Sequence, residues 1–121
     1  MEERLDFDIL DQLVNDHESF AIIHTDLVRV YGHKDLDVDV FLRTLWHMLD
    51  EGLIRSKNPP SPSKADWEKS RRAYLRWLRL PSGKVQVPRG QGYFEDMGPW
   101  LEVTEKGRKR WQRLVAEHQP Q

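Results

Sequence analysis

Leu5, Ile9 and Leu13 recur at four-residue spacing, and Leu10 and Val14 widen that stripe into a face. Residues 3–16 therefore read as an amphipathic helix. Asn15 to Ser19 is a polar stop, and Phe20-Ala21-Ile22-Ile23 is a short apolar run expected as one extended segment or as the lead-in to the next turn. Thr25 is the expected N-cap of a short helix through Leu27, Val28, Val30 and Tyr31, which Gly32 ends by accepting a left-handed conformation. The strongest periodicity follows, with Val38, Leu42, Leu45 and Leu49 at i, i+4, i+7 and i+11. Asp35, Asp37 and Asp39 crowd the positive end of that helix, and Gly52 breaks it into a strand beginning at Leu53.

The second half is less regular. Residues 56–64 carry three prolines and read as a loop. Ala65 to Tyr74 is expected as a helix capped by Ser63, with one helix over Ala65–Arg79 as the alternative. Leu78 and Leu80, then Val85 and Val87, alternate with polar neighbours about Pro81-Ser82-Gly83, the pattern of a hairpin. Residues 89–99 read as a second loop, Trp100–Val103 as a strand, and Thr104 as the cap of a last helix bearing Trp111, Leu114 and Val115.

Two phrases in this order resemble a known family. Leu45-Trp46-His47-Met48-Leu49-Asp50-Glu51-Gly52-Leu53-Ile54 and Leu101-Glu102-Val103-Thr104-Glu105-Lys106-Gly107-Arg108 are similar to segments of the winged helix-turn-helix superfamily, in the flavour of the PadR and MarR transcriptional regulators. The resemblance implies an α+β winged helix-turn-helix with an enlarged wing or insertion over residues 56–99. One domain over 1–121 would comprise a helix-turn-helix core at 3–55, an insertion and wing at 56–103, and a C-terminal helix at 104–117. It also implies nucleic-acid binding of the regulator type. The chain ends soon after Ala116, without the long helix through which PadR-type proteins dimerise, so a monomer or weak homodimer is expected.

Charge sharpens the functional question. The 121 residues carry a net charge of −1, which conceals a division. Residues 1–54 hold 13 carboxylates against four cations, a net of −9, and residues 55–121 hold 15 cations against seven carboxylates, a net of +8. With Leu45 turned inward, Asp39, Val40, Arg43, His47 and Asp50 face outward from the second helix of the motif. Carboxylates there repel phosphates, so that face is a poor reader of duplex DNA. The basic half supplies the better candidates, because cations interleaved with aromatic rings suit nucleic acid. Arg71, Arg72, Arg76, Arg79, Lys84 and Arg89 are expected to contact phosphates, with Arg43 and His47 in a secondary role. Trp67, Tyr74 and Trp77 are more simply explained as core filling.

The alternative is a protein-interaction winged helix whose acidic helical face docks a basic partner. Internal pairing between the basic residues of 64–89 and the acids of 1–54 would remove the footing of the nucleic-acid reading. Other classes find little support. The chain has no Cys, which excludes thiolate metal sites, disulfides and cysteine nucleophiles. His47 and Glu51 stand at i, i+4 without a third ligand, so no metal and no cofactor are expected. No triad or phosphate loop is evident and an enzyme is not expected. No apolar run approaches the about 20 residues of a membrane helix, and the acidic start lacks a signal-peptide pattern, so a cytoplasmic protein is expected.

Overall fold

The computed structural model describes residues 2–78 and 98–118. It is a mixed α+β structure with the element order α1 (Glu2–Leu13), β1 (Glu18–Ser19), α2 (Phe20–Arg29), α3 (Val38–Asp50), β2 (Ile54–Asn58), α4 (Lys64–Leu78), β3 (Trp100–Val103) and α5 (Glu105–His118). The strands form one antiparallel sheet in the order β1–β3–β2. Its core gathers Ile9 and Leu10 of α1, Phe20 and Ile23 of α2, Phe41 and Leu45 of α3, and Leu101 of β3, all fully buried. Burying each such side chain is worth about 1.5–3 kcal/mol.

Two local expectations are corrected at α2. Phe20–Ile23 is the first turn of the helix rather than an extended segment ahead of it, and Ser19, not Thr25, is the N-cap, its hydroxyl accepting from the Ile22 amide. Phe20, Ala21 and Ile23 are all buried, which hides the helical period from a pattern search. Thr25 lies mid-helix and donates back to the Ala21 carbonyl at 2.8 Å. Gly32 does take φ +84°, and Gly52 φ +76°, as a left-handed stop demands.

The other helix starts follow their chemistry. The Asp37 carboxylate accepts from the amides of Asp39 and Val40, capping α3. Ser63 and Asp66 cap α4 reciprocally, at 2.8 and 3.1 Å. Thr104 accepts from the Gly107 amide and donates to the Gly52 carbonyl, fastening the start of α5 to the turn after α3. A Cβ on Gly107 would lie 2.0 Å from the Leu53 carbonyl oxygen, so only glycine permits this approach.

β2 continues to Asn58, beyond the expected end of the strand, because Arg55, Ser56 and Asn58 pair with Glu102, Leu101 and Trp100 across a bulge. α4 is one continuous helix to Leu78, matching the longer alternative, so Leu78 does not begin a hairpin strand. The remainder of the expected hairpin and loop, including Arg79, Lys84 and Arg89, lies outside the described residues.

Candidate functional site

α4 owes its place to one face. Trp67, Ser70 and Tyr74, at i, i+3 and i+7, are all buried. Trp67 and Tyr74 meet the Phe20 ring edge-on at 6.3 and 5.5 Å. These two aromatics are core, as expected. The Tyr74 hydroxyl also lies 2.7 Å from His24 Nδ1, and His24 Nε2 lies 2.8 Å from the Leu36 carbonyl oxygen. A carbonyl only accepts, so Nε2 carries the hydrogen, and in the neutral ring Nδ1 accepts from the phenol. Burial pushes the His24 pKa down and the Tyr74 pKa up, which keeps both groups uncharged near neutrality.

A second attachment lies on the surface. Arg71 donates from Nε to Asp39 Oδ1 at 2.6 Å and from Nη2 to Asp39 Oδ2 at 3.2 Å, a bidentate pair between α4 and the first turn of α3. Glu68 bridges Arg71 at 3.5 Å and Arg72 at 3.1 Å. The Arg71 hydrogen bonds hold the Asp39 carboxyl below the usual carboxylate range, helped by the charges of Arg71 and Arg43. Further along, the rings of Trp46 and Trp67 stand edge to face at 6.5 Å. Residue 39 thus faces 71 and residue 46 faces 67, so α4 runs antiparallel along α3.

Between the two helices lies an open groove of about 750 Å³. Leu42, Leu49, Trp46, Trp67 and Pro62 give it an apolar floor and wall. Asp39, Arg43 and Asp50 from α3 and Lys64, Glu68 and Arg71 from α4 rim it. Trp46 is 42% exposed, a large aromatic surface to leave in water.

The structure therefore brings Arg43 and Arg71 to one groove. It does not bring His47 there. His47 is exposed and contacts Glu51 at 3.2 Å, a surface pair, and no cluster of three metal-ligating side chains occurs among the described residues. Arg72 and Arg76 lie on the solvent side of α4 with Lys69, at i, i+3 and i+7. Sequence reasoning missed the roles of Trp46, Asp39 and Glu68. The only local signal was the position of Trp46 on the flank of the α3 stripe, 100° from Leu45.

No protein-family model, curated protein or solved structure matches the chain. No helix among the described residues is long and apolar enough to cross a membrane.

Proposed function

We propose that the chain is a winged helix-turn-helix module that docks a protein segment in the groove between α3 and α4. Support for the fold reading is the succession of α2, a Gly32 turn, α3 and a strand, with β3 returning between β1 and β2. The observation that carries the function is the clasp of Arg71 on Asp39. It commits one of the expected phosphate contacts to the acidic half of the chain. It also lays α4 beside the Asp39, Arg43 and Asp50 flank of the face that α3 would have to insert into a major groove, where only Arg43 among the outward groups suits base edges. A fold of this kind does not itself choose between DNA and protein partners.

Site-specific photocrosslinking in cells tests this reading. A crosslinker at position 46 should capture a protein, and one at position 76 on the solvent side of α4 should not capture the same one. Crosslinks to nucleic acid from position 46 would overturn the proposal.

One observation favours a second reading. Lys69, Arg72 and Arg76 form a cationic stripe on the outer side of α4, and Lys69 and Arg76 make no ion pair among the described residues. With Arg79, Lys84 and Arg89 they would bind nucleic acid through phosphates. Duplex DNA binding that falls about 10³-fold or more between 50 and 200 mM salt, and is lost in Arg72→Glu/Arg76→Glu, is its signature.

A further inference from the structure

The charged side chains that line the groove sum to zero, with Asp39, Asp50 and Glu68 set against Arg43, Lys64 and Arg71. Net charge therefore selects neither an acidic nor a basic partner, and the order of the charges carries the information. On α3, Asp39, Arg43, Trp46 and Asp50 are all exposed and stand at i, i+4, i+7 and i+11. At 100° per residue they form one stripe spanning about 60° of the helix circumference. Asp39 is held by two hydrogen bonds from Arg71. Arg43 and Asp50 make no ion pair among the described residues, although the charge of Arg43 helps to keep the Asp39 carboxyl ionised. The two straddle Trp46, whose side chain leaves a large aromatic surface in water. Arg43 lies three residues before it and Asp50 four residues after it, about 4.5 and 6 Å along the axis.

A stripe that reads cation, aromatic, anion, with the aromatic near its middle, complements itself when turned end for end. A two-fold axis at Trp46 sets α3 antiparallel to its copy and brings ring to ring. It also places each Arg43 within about 1.5 Å, in axial position, of the other copy's Asp50. The antiparallel course of α4 keeps Lys64 at the Asp50 end of the groove. The same rotation therefore carries Lys64 toward the other copy's Asp39 and Glu68, where two carboxylates face one lining guanidinium (Arg72 holds Glu68 from outside the groove).

From this juxtaposition we infer that the segment docked by the groove is α3 of a second copy of this chain, in a two-fold dimer centred on Trp46 and closed by two Arg43–Asp50 pairs. The inference rests on the docking reading above and names its partner. An acidic or a basic peptide would satisfy one of Arg43 and Asp50 and oppose the other, whereas a second copy satisfies both. A guanidinium takes a carboxylate bidentately, and the paired Trp46 rings beside each such contact exclude water from one side of it.

Sedimentation equilibrium of the full chain provides the test. The wild type should form a dimer and nothing larger, because a two-fold contact closes on itself. Trp46→Ala should abolish the dimer. Arg43→Asp and Asp50→Arg should each weaken it about tenfold or more, since either change turns two opposite-charge contacts into two like-charge ones. An equimolar mixture of these two variants should recover the dimer, as should the double variant Arg43→Asp/Asp50→Arg, because every contact is again of opposite sign. Recovery on mixing also shows that the single variants fold. A chain that stays monomeric at millimolar concentration, or a dimer indifferent to Trp46→Ala or to either charge reversal, would overturn the inference. So would a mixture that stays monomeric while circular dichroism shows both variants folded. After any of those results, capture of a different protein from position 46 leaves the docking reading standing, and capture of nucleic acid removes that reading too.

Discussion

Two of the attachments that hold α4 to the rest of the molecule differ in kind. At Tyr74 the attachment is buried, uncharged and aromatic, with a phenol tied to His24 and the ring packed on Phe20. At Arg71 it is exposed and ionic, with side-chain exposures of 30% for Arg71 and 56% for Asp39. The first removes apolar surface from water and satisfies every polar atom that it buries. The second trades hydration for a hydrogen-bonded pair that water and salt partly replace, a trade whose net value is small at exposed sites. Stability therefore resides on the Tyr74 side, and the shape of the groove on the Arg71 side.

Tyr74→Ala is the largest break in that contrast. It removes a fully packed aromatic and orphans His24 Nδ1, so a loss of about 3–5 kcal/mol in urea unfolding is expected. Tyr74→Phe keeps the ring and removes only the hydroxyl. It should cost about 1–3 kcal/mol, the penalty of leaving a buried acceptor unmet. A Phe variant as stable as the wild type would mean that the hydrogen bond adds nothing to the packing.

Acid sharpens the same contrast. The folded state holds His24 neutral because burial pushes its pKa below 6.5. In the unfolded chain the ring takes a proton near pH 6.5. The unfolded state then binds more protons, so stability is complete above about pH 6.5 and is lost as the pH falls toward the depressed folded value. Each pH unit in that window costs at most about 1.4 kcal/mol for one proton. Glu18 and Asp26, whose pKa values burial raises, act in the opposite sense at lower pH, nearer the carboxylate range. The difference in unfolding free energy between the wild type and His24→Gln, followed from pH 7.5 to 5.5, isolates the histidine. A constant difference would refute its neutral, buried state.

The contrast also explains what could be read in advance. α3 was legible because one face is buried and one is wet, so Leu42, Leu45 and Leu49 keep time along the chain. Gly52 and Thr104 were legible because a left-handed stop and a helix cap are local demands. Ser19 was not, because it closes a polar run and its helix opens with residues buried on several sides. The course of α4 was legible only in part. Trp67 and Tyr74 announce a buried face, but its partner His24 lies 50 residues away, and no local pattern names a partner at that distance. The groove was illegible for the same reason, since Asp39 and Arg71 meet only after α4 has been placed by Tyr74.

Arg71→Ala is the smallest expected effect on stability and the most discriminating. With the core side of α4 intact, the melting temperature should fall by no more than about 3 °C, and less still at high salt. The groove should nevertheless change. Asp39 loses its guanidinium partner and lies one helical turn from Arg43, which it can then engage. The carboxyl pKa of Asp39, followed by NMR, should rise toward the ordinary range, because the Arg71 hydrogen bond is the main cause of its depression. A shift in Asp39 titration with near-constant stability would place Arg71 as a positioning group for the rim. If Arg71→Ala instead destabilised the chain as much as Tyr74→Phe, the two attachments would be energetically alike, and the division between a core side and a groove side of α4 would fail.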